Sequence, residues 1–236
     1  NSEKATVRIR VNAGAAFDPQ GKEGTMKLLA GAIFPGETAR EYFRDDLGGD
    51  LSVTVGYDFV QIDASGRSSE LLSMLETLAN AITDPTIDKE VTEQLKAALL
   101  TEVEAAEKDP SYVADRAVAK ALFGTFPYGR PLIGTPQSLK AIDFADLRFA
   151  KDRLFTADNA VVTITGPVKS DVVYRGMRRV FGAWSKSDRP VPPTFRQPDD
   201  PAAGLSIIAS PVPASELRIA IRGVGRSDTD FAAAAV

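Results

Sequence analysis

Neither cysteine nor histidine occurs in the 236 residues of the chain. Without cysteine there is no disulfide framework and no thiolate nucleophile, and cysteine usage carries no information about redox compartment. Without histidine there is no imidazole base, no Ser-His or Cys-His pair, and none of the mixed histidine sites on which catalytic zinc usually depends. An active site confined to this chain must run on carboxylates, Lys, Tyr or backbone groups. No apolar run approaches the roughly 18 residues of a membrane span, because charge or Gly breaks the longest ones. Charge of one sign is not concentrated either: 28 basic and 32 acidic residues are spread along the chain, with a net charge of −4 and no basic stripe for a nucleic-acid backbone. Nucleic acid is not an expected partner.

What is present is an ordinary globular composition, 44% hydrophobic and 25% charged, enough for one large domain or one and a half. Strands and helices alternate without internal repeats. Val7, Ile9 and Val11 alternate with Arg8 and Arg10, which predicts a first strand within Asn1–Asn12. Helices are expected near 22–34 and 37–47, then strands over L-S-V-T-V and F-V-Q-I-D-A, whose close spacing across G-Y-D predicts an antiparallel pair. Helix 68–83 carries Leu71, Leu72, Leu75, Leu78, Ala79 and Ile82 on one face, and D-P-T-I-D separates it from a long helix over about 88–107. Helices near 111–123, 136–141 and 143–155 follow, then a strand at 160–166 and a helix from Ser170 to Phe181. The proline-rich stretch 189–204 reads as an extended linker. Beyond it, E-L-R-I-A-I-R-G (216–223) alternates as another strand, and F-A-A-A-A-V breaks off inside what reads as a new helix. The expectation is that the chain is cut at both ends and that more protein follows Val236.

Groups capable of chemistry are few. Glu102, Glu104, Glu107 and Asp109 could hold a divalent cation or serve acid–base work, but a run of this kind more often marks the solvated face of a helix. L-G-G-D at 47–50 resembles a turn, since no G-x-x-x-x-G-K-[ST] phosphate loop follows. Tyr57, Tyr112 and Tyr128 have no histidine partner and read as half-buried aromatics.

Four segments in order carry a resemblance. L-F-G-T-F-P-Y-G-R-P-L-I-G-T-P-Q-S-L-K-A-I (122–142), L-G-G-D-L-S-V-T-V-G-Y-D (47–58), F-T-A-D-N-A-V-V-T-I-T-G (155–166) and R-I-A-I-R-G-V-G-R-S-D-T-D (218–230) resemble conserved stretches of the M16 metallopeptidases, the pitrilysin, insulinase and mitochondrial processing peptidase family. The resemblance implies an α+β fold: a mostly antiparallel sheet of about five or six strands with helices packed on one side. It also implies an N-terminal-type domain over 1–188, the linker 189–204, and the start of a second homologous domain over 205–236.

The family carries His-x-x-Glu-His on the helix that corresponds to K-E-G-T-M-K-L-L-A-G-A-I-F-P-G (22–36). There, i and i+4 place two imidazoles on one face to bind zinc, and the Glu activates the metal-bound water. Aligned through this helix, the motif falls on Lys27, Ala30 and Gly31, so no catalytic residue is expected. Glu102 stands at the one retained ligand position on the long helix, and Leu95 stands where an active member carries a supporting Glu. Residues 95 and 102 are two turns apart and share a helix face, so the surroundings of the old ligand turn apolar. One carboxylate and an ammonium do not hold zinc, so no cofactor is expected in this chain and zinc only in a catalytic partner. Lys27 is free to pair with Glu102 or to reach solvent.

The resemblance further implies a peptide-binding edge strand at Leu51, Ser52, Val53, Thr54 and Val55, with Ser52 and Val53 replacing the usual Asn-Ala. Two functions follow as expectations. One is the non-catalytic subunit or half of an M16 zinc peptidase assembly, inactive alone, with a catalytic M16 chain and a peptide as partners. The other is a structural scaffold of the same fold. Bacterial inactive partners of this kind commonly work outside the cytoplasm.

Overall fold

Side-chain alternation decides where each strand sits. The computed structural model describes residues 3–189, 191, 200–209, 215–225 and 228–234. In chain order its main elements are β1 (Lys4–Val11), α1 (Thr25–Ile33), α2 (Thr38–Glu41), β2 (Leu51–Val55), β3 (Val60–Arg67), α3 (Leu71–Thr83) and α4 (Lys89–Ala106). These are followed by α5 (Pro110–Phe123), α6 (Pro136–Ala141), α7 (Phe144–Leu154), β4 (Ala160–Thr165), α8 (Ser170–Phe181) and α9 (Phe231–Ala234).

The strands form one antiparallel sheet in the order β2-β3-β1-β4. Register places Val53, Ile62, Ile9 and Val162 in one row across all four strands, on the face that meets the helices. The next row, Ser52, Asp63, Arg8 and Thr163, points the other way and is polar, with Arg8 Nε 2.6 Å from Asp63. A period of two therefore sorts the apolar set inward and leaves the opposite face wet.

Helix α1 lies against this core with Met26, Leu28, Leu29, Ala32 and Ile33 buried. Its first turn is fixed from outside the helix: the buried Asp18 carboxylate accepts hydrogen bonds from the backbone N–H of Gly24 (2.7 Å) and Met26 (2.8 Å). Gly24 has φ +100°, and a Cβ there would stand 2.8 Å from the Leu139 side chain. The helix expected from residue 22 therefore starts at Thr25.

Other expectations are corrected. The helix expected over 37–47 is one α turn followed by a π-helical turn, Tyr42–Asp46, which closes with Leu47 N–H donating to the Tyr42 carbonyl. The wider turn buries both Phe43 and Leu47 under the sheet edge. On α3, Met74 is buried while Leu72 is exposed and lies over Gly176 of α8. The sheet has four strands among the described residues, not five or six. Residues 216–223 form no strand, because nothing among the described residues offers them a ladder. They run along α5, where Arg218 reaches Asp115 and Ser111 at 2.6 Å each and Arg222 donates to the Leu122 carbonyl at 2.8 Å. The proposed linker 189–204 lies largely outside the described residues.

Helix α5 itself contains no fully buried residue. It leans on the Pro127–Gly129 turn through a ring cluster in which Phe123 and Phe126 both meet Tyr128 edge-on, at 5.7 and 5.1 Å between centroids. No helix among the described residues is long and apolar enough to cross a membrane.

Candidate functional site

All of α1 is buried except one stripe, and that stripe holds Lys27 and Gly31 one turn apart. Opposite it, two turns of α4 present Leu95 and Glu102. The Lys27 ammonium stands 3.4 Å from a Glu102 carboxylate oxygen, and the two side chains keep 36% and 51% of their exposure. At the other end of the stripe, Gly31 receives Leu95: a Cβ on Gly31 would lie only 3.1 Å from Leu95 Cδ2. Ala30 is buried. The helices thus meet through an aliphatic contact at one end and a half-solvated ion pair at the other.

This donor set does not suit a metal ion. An ammonium, a methyl group and a glycine face a single carboxylate, whereas zinc needs three protein ligands and is repelled by the cation. Glu104, Glu107 and Asp109 do not join Glu102. Glu107 pairs with Arg116 at 3.4 Å, and Asp109 caps α5 by accepting the Ser111 N–H at 2.9 Å. Among the described residues no group of three or more His, Cys, Asp or Glu side chains stands together as a metal-binding set.

Beside the α1–α4 stripe lies β2, an edge strand among the described residues. Asp50 and Ser65 exchange both backbone hydrogen bonds, and this pairing repeats every second residue. Ser52 and Thr54 therefore bond to Asp63 and Gln61 of β3, while the backbone groups of Leu51, Val53 and Val55 face the free edge. The hairpin that presents this edge is tied down by the first loop: Ala15 and Ala16 donate their N–H groups to the carbonyls of Gly56 and Tyr57.

The 122–142 segment is a clamp. Tyr128 donates from its hydroxyl to Asp58 at 2.6 Å, and burial together with that carboxylate pushes its pKa up to about 12. Arg130 donates to the Asp18 carbonyl and accepts the Tyr57 hydroxyl at its own carbonyl. Gly134, with φ +79°, leaves no room for a Cβ, which would stand 2.2 Å from the Glu23 carbonyl oxygen. Thr135 and Ser138 form a capping box on α6, and Ser138 also donates to the Glu23 carbonyl. In the 155–166 segment, the Asn159 amide donates to the carbonyls of Asn12 and Leu154, joining β1 to the end of α7.

The comparisons agree with this architecture. The family model for insulinase, peptidase family M16, matches residues 1–136, and the model for the peptidase M16 inactive domain matches residues 141–236. The chain belongs to the M16 peptidase family. Among curated proteins, it is 24% identical over 99% of its length to a probable mitochondrial-processing peptidase subunit beta of Arabidopsis thaliana, of which it covers 45%. It is 25% identical over 94% of its length to an uncharacterized zinc protease of Mycobacterium bovis, of which it covers 52%. The chain thus spans about half the length of these relatives. Among solved structures, a peptidase M16 inactive domain from Pseudomonas fluorescens superposes with a TM-score of 0.72 at 21% identity, over 85% of this chain and 49% of that one. Pitrilysin superposes with a TM-score of 0.73 at 17% identity, over 84% of this chain and 22% of that one. The α+β fold of the family is therefore shared.

Proposed function

We propose that this M16 chain is the non-catalytic subunit or half of a zinc peptidase assembly, holding no zinc itself and binding extended peptide along the free edge of β2. The observation that carries this reading is the packed state of the α1–α4 stripe. Where the family's motif falls, Lys27 engages Glu102 and Leu95 fills the space over Gly31. Two of the three ligands and the general base are replaced by groups unable to do their chemistry, and the apolar contact removes the room for a second carboxylate.

Peptide binding does not depend on those groups. An added strand needs backbone N–H and C=O groups in register, and Leu51, Val53 and Val55 offer them. The exposed Ser52 and Thr54 side chains lie on the polar face of the same strand. That relatives are named as a subunit of a processing peptidase and as zinc proteases supports a proteolytic setting.

The test is purification of the full-length protein with its natural partners, followed by metal analysis and peptide hydrolysis with and without each component. Hydrolysis only in a complex with a second M16 chain that carries His-x-x-Glu-His supports the helper reading. Zinc and hydrolysis in this protein alone overturn it, and a complex with neither favours a scaffold.

A further inference from the structure

The inner face of the sheet is complete along its middle strands and incomplete at β2. On β3, Val60, Ile62 and Ala64 are fully buried, as are Val7, Ile9 and Val11 on β1. One strand further out in the same rows, Val53 beside Ile62 and Val55 beside Val60 are only partly buried, whereas Leu51 beside Ala64 is buried. Helices α1 and α2 lie against β2, and α2 brings the partly buried Ala39, with the partly buried Tyr42 directly after it. The opposite face of β2 is of another kind. Ser52 and Thr54 are exposed there, beside an Asp63 that is already engaged by Arg8 and Gln61 at 2.6 and 2.7 Å.

The free hydrogen-bonding groups of this edge belong to Leu51, Val53 and Val55, the same residues whose side chains point inward. A residue of an added strand that lies directly opposite one of them shares its face, whichever way the strand runs. The parity of the free backbone groups therefore fixes the parity of the peptide's side chains. Residues opposite Leu51, Val53 and Val55 point toward the helices, and the two between them point to the wet face.

Burial then decides what each position accepts. An aliphatic side chain opposite Val53 or Val55 completes the cover that the sheet lacks at this edge, while a polar one loses its water against two valines. Opposite Leu51, which is buried already, less is gained. We infer that β2 selects its peptide by pattern: it takes an extended segment with aliphatic residues at the alternate positions opposite Val53 and Val55 and a polar residue between them. The inference rests on the peptide-binding reading and names the substrate class of the same edge.

The experiment uses the full-length protein in buffer with a chelator, which silences any catalytic partner. Its probes are two fluorescein-labelled peptides of ~10 residues with identical composition and Gly-Ser flanks. One carries the core Val-Thr-Val-Thr-Val and the other the permuted core Val-Val-Thr-Thr-Val, in which no register sets two Val side chains at successive inward positions. Fluorescence anisotropy is expected to show the alternating peptide binding ~10-fold tighter, the size of burying an unbonded hydroxyl where a methyl group fits. Val53→Thr is expected to bring this ratio below ~3-fold. Val55→Thr gives a second reading of the same kind, and melting temperatures check the fold of both variants. Equal binding of the two peptides by the parent overturns selection by pattern and leaves peptide binding standing. A ratio that survives both substitutions overturns it as well, since the discrimination is then made elsewhere. If neither peptide binds, both readings fall.

Discussion

The ammonium of Lys27 and the carboxylate of Glu102 meet at 3.4 Å across the α1–α4 boundary, two turns along α4 from the place where Leu95 packs onto Gly31. The two contacts differ in what they are worth. An ion pair whose members keep a third to a half of their exposure is screened by water and contributes about 0–1 kcal/mol. Fully burying a Leu side chain contributes roughly 1.5–3 kcal/mol, of which the partly buried Leu95 realises a fraction.

Lys27→Met and Glu102→Gln, singly and together, are therefore expected to couple by less than ~1 kcal/mol in a double-mutant cycle read by urea denaturation. A coupling of several kcal/mol would make the ion pair, rather than the aliphatic contact, the tie between α1 and α4.

Rebuilding a metal site is the sharper test of the alignment. Lys27→His with Gly31→His gives Glu102 two imidazole neighbours at i and i+4, a three-ligand set. A side chain at position 31 crowds Leu95, since its Cβ falls 3.1 Å from Leu95 Cδ2 and that side chain must give way by a few tenths of an ångström. The double variant should melt lower than the parent and bind zinc weakly, and adding Leu95→Ala should restore stability and strengthen binding in titration calorimetry. Absence of zinc binding in the triple variant would remove Glu102 from the ligand position.

The β2 edge is testable by proline placement. The Val53 N–H faces the free edge, so Val53→Pro should leave the fold standing and abolish peptide binding. The neighbouring Thr54 N–H belongs to the ladder with Gln61, so Thr54→Pro should remove a ladder hydrogen bond and lower stability more than Val53→Pro does. Undiminished peptide affinity in Val53→Pro would exclude the edge as the binding site.

Asp18 predicts a pH dependence. Burial pushes its pKa up to about 7, outweighing the lowering by the Gly24 and Met26 N–H groups. The folded chain then binds this proton more tightly than the unfolded chain does, so the contribution is complete below about pH 4 and is lost as pH rises through about 7. Stability should fall with pH across that window by up to ~1.4 kcal/mol per pH unit, and Asp18→Asn should remove this component. A parent and an Asp18→Asn variant with parallel pH profiles would mean that the two N–H donors keep the carboxylate ionised.

Much of this was legible in the sequence. Alternation at Val7, Ile9 and Val11 gave an interior strand because both neighbours bury the same face, and the apolar spacing of 71–82 gave α3. Identical alternation at 216–223 gave no strand, because a ladder is a property of two segments and periodicity describes one. The π turn at 42–46 was hidden for a related reason: its register is set by what Phe43 and Leu47 pack against. In the site, the spacing of Lys27, Gly31, Leu95 and Glu102 could be read through helix geometry once the family alignment fixed the register. Asp18 could not, because a single Asp before a proline reads as a turn and its two backbone donors lie six and eight residues away. Tyr112 reads as half-buried from the sequence, and it is half-buried in the structure, beside Arg116.

Helix α5 carries a further consequence. Having no fully buried residue, it is fastened mainly by one ring cluster and a few arginine contacts. Local opening free energy follows buried contacts, so its amides should exchange hydrogen sooner than those of α1 or α3.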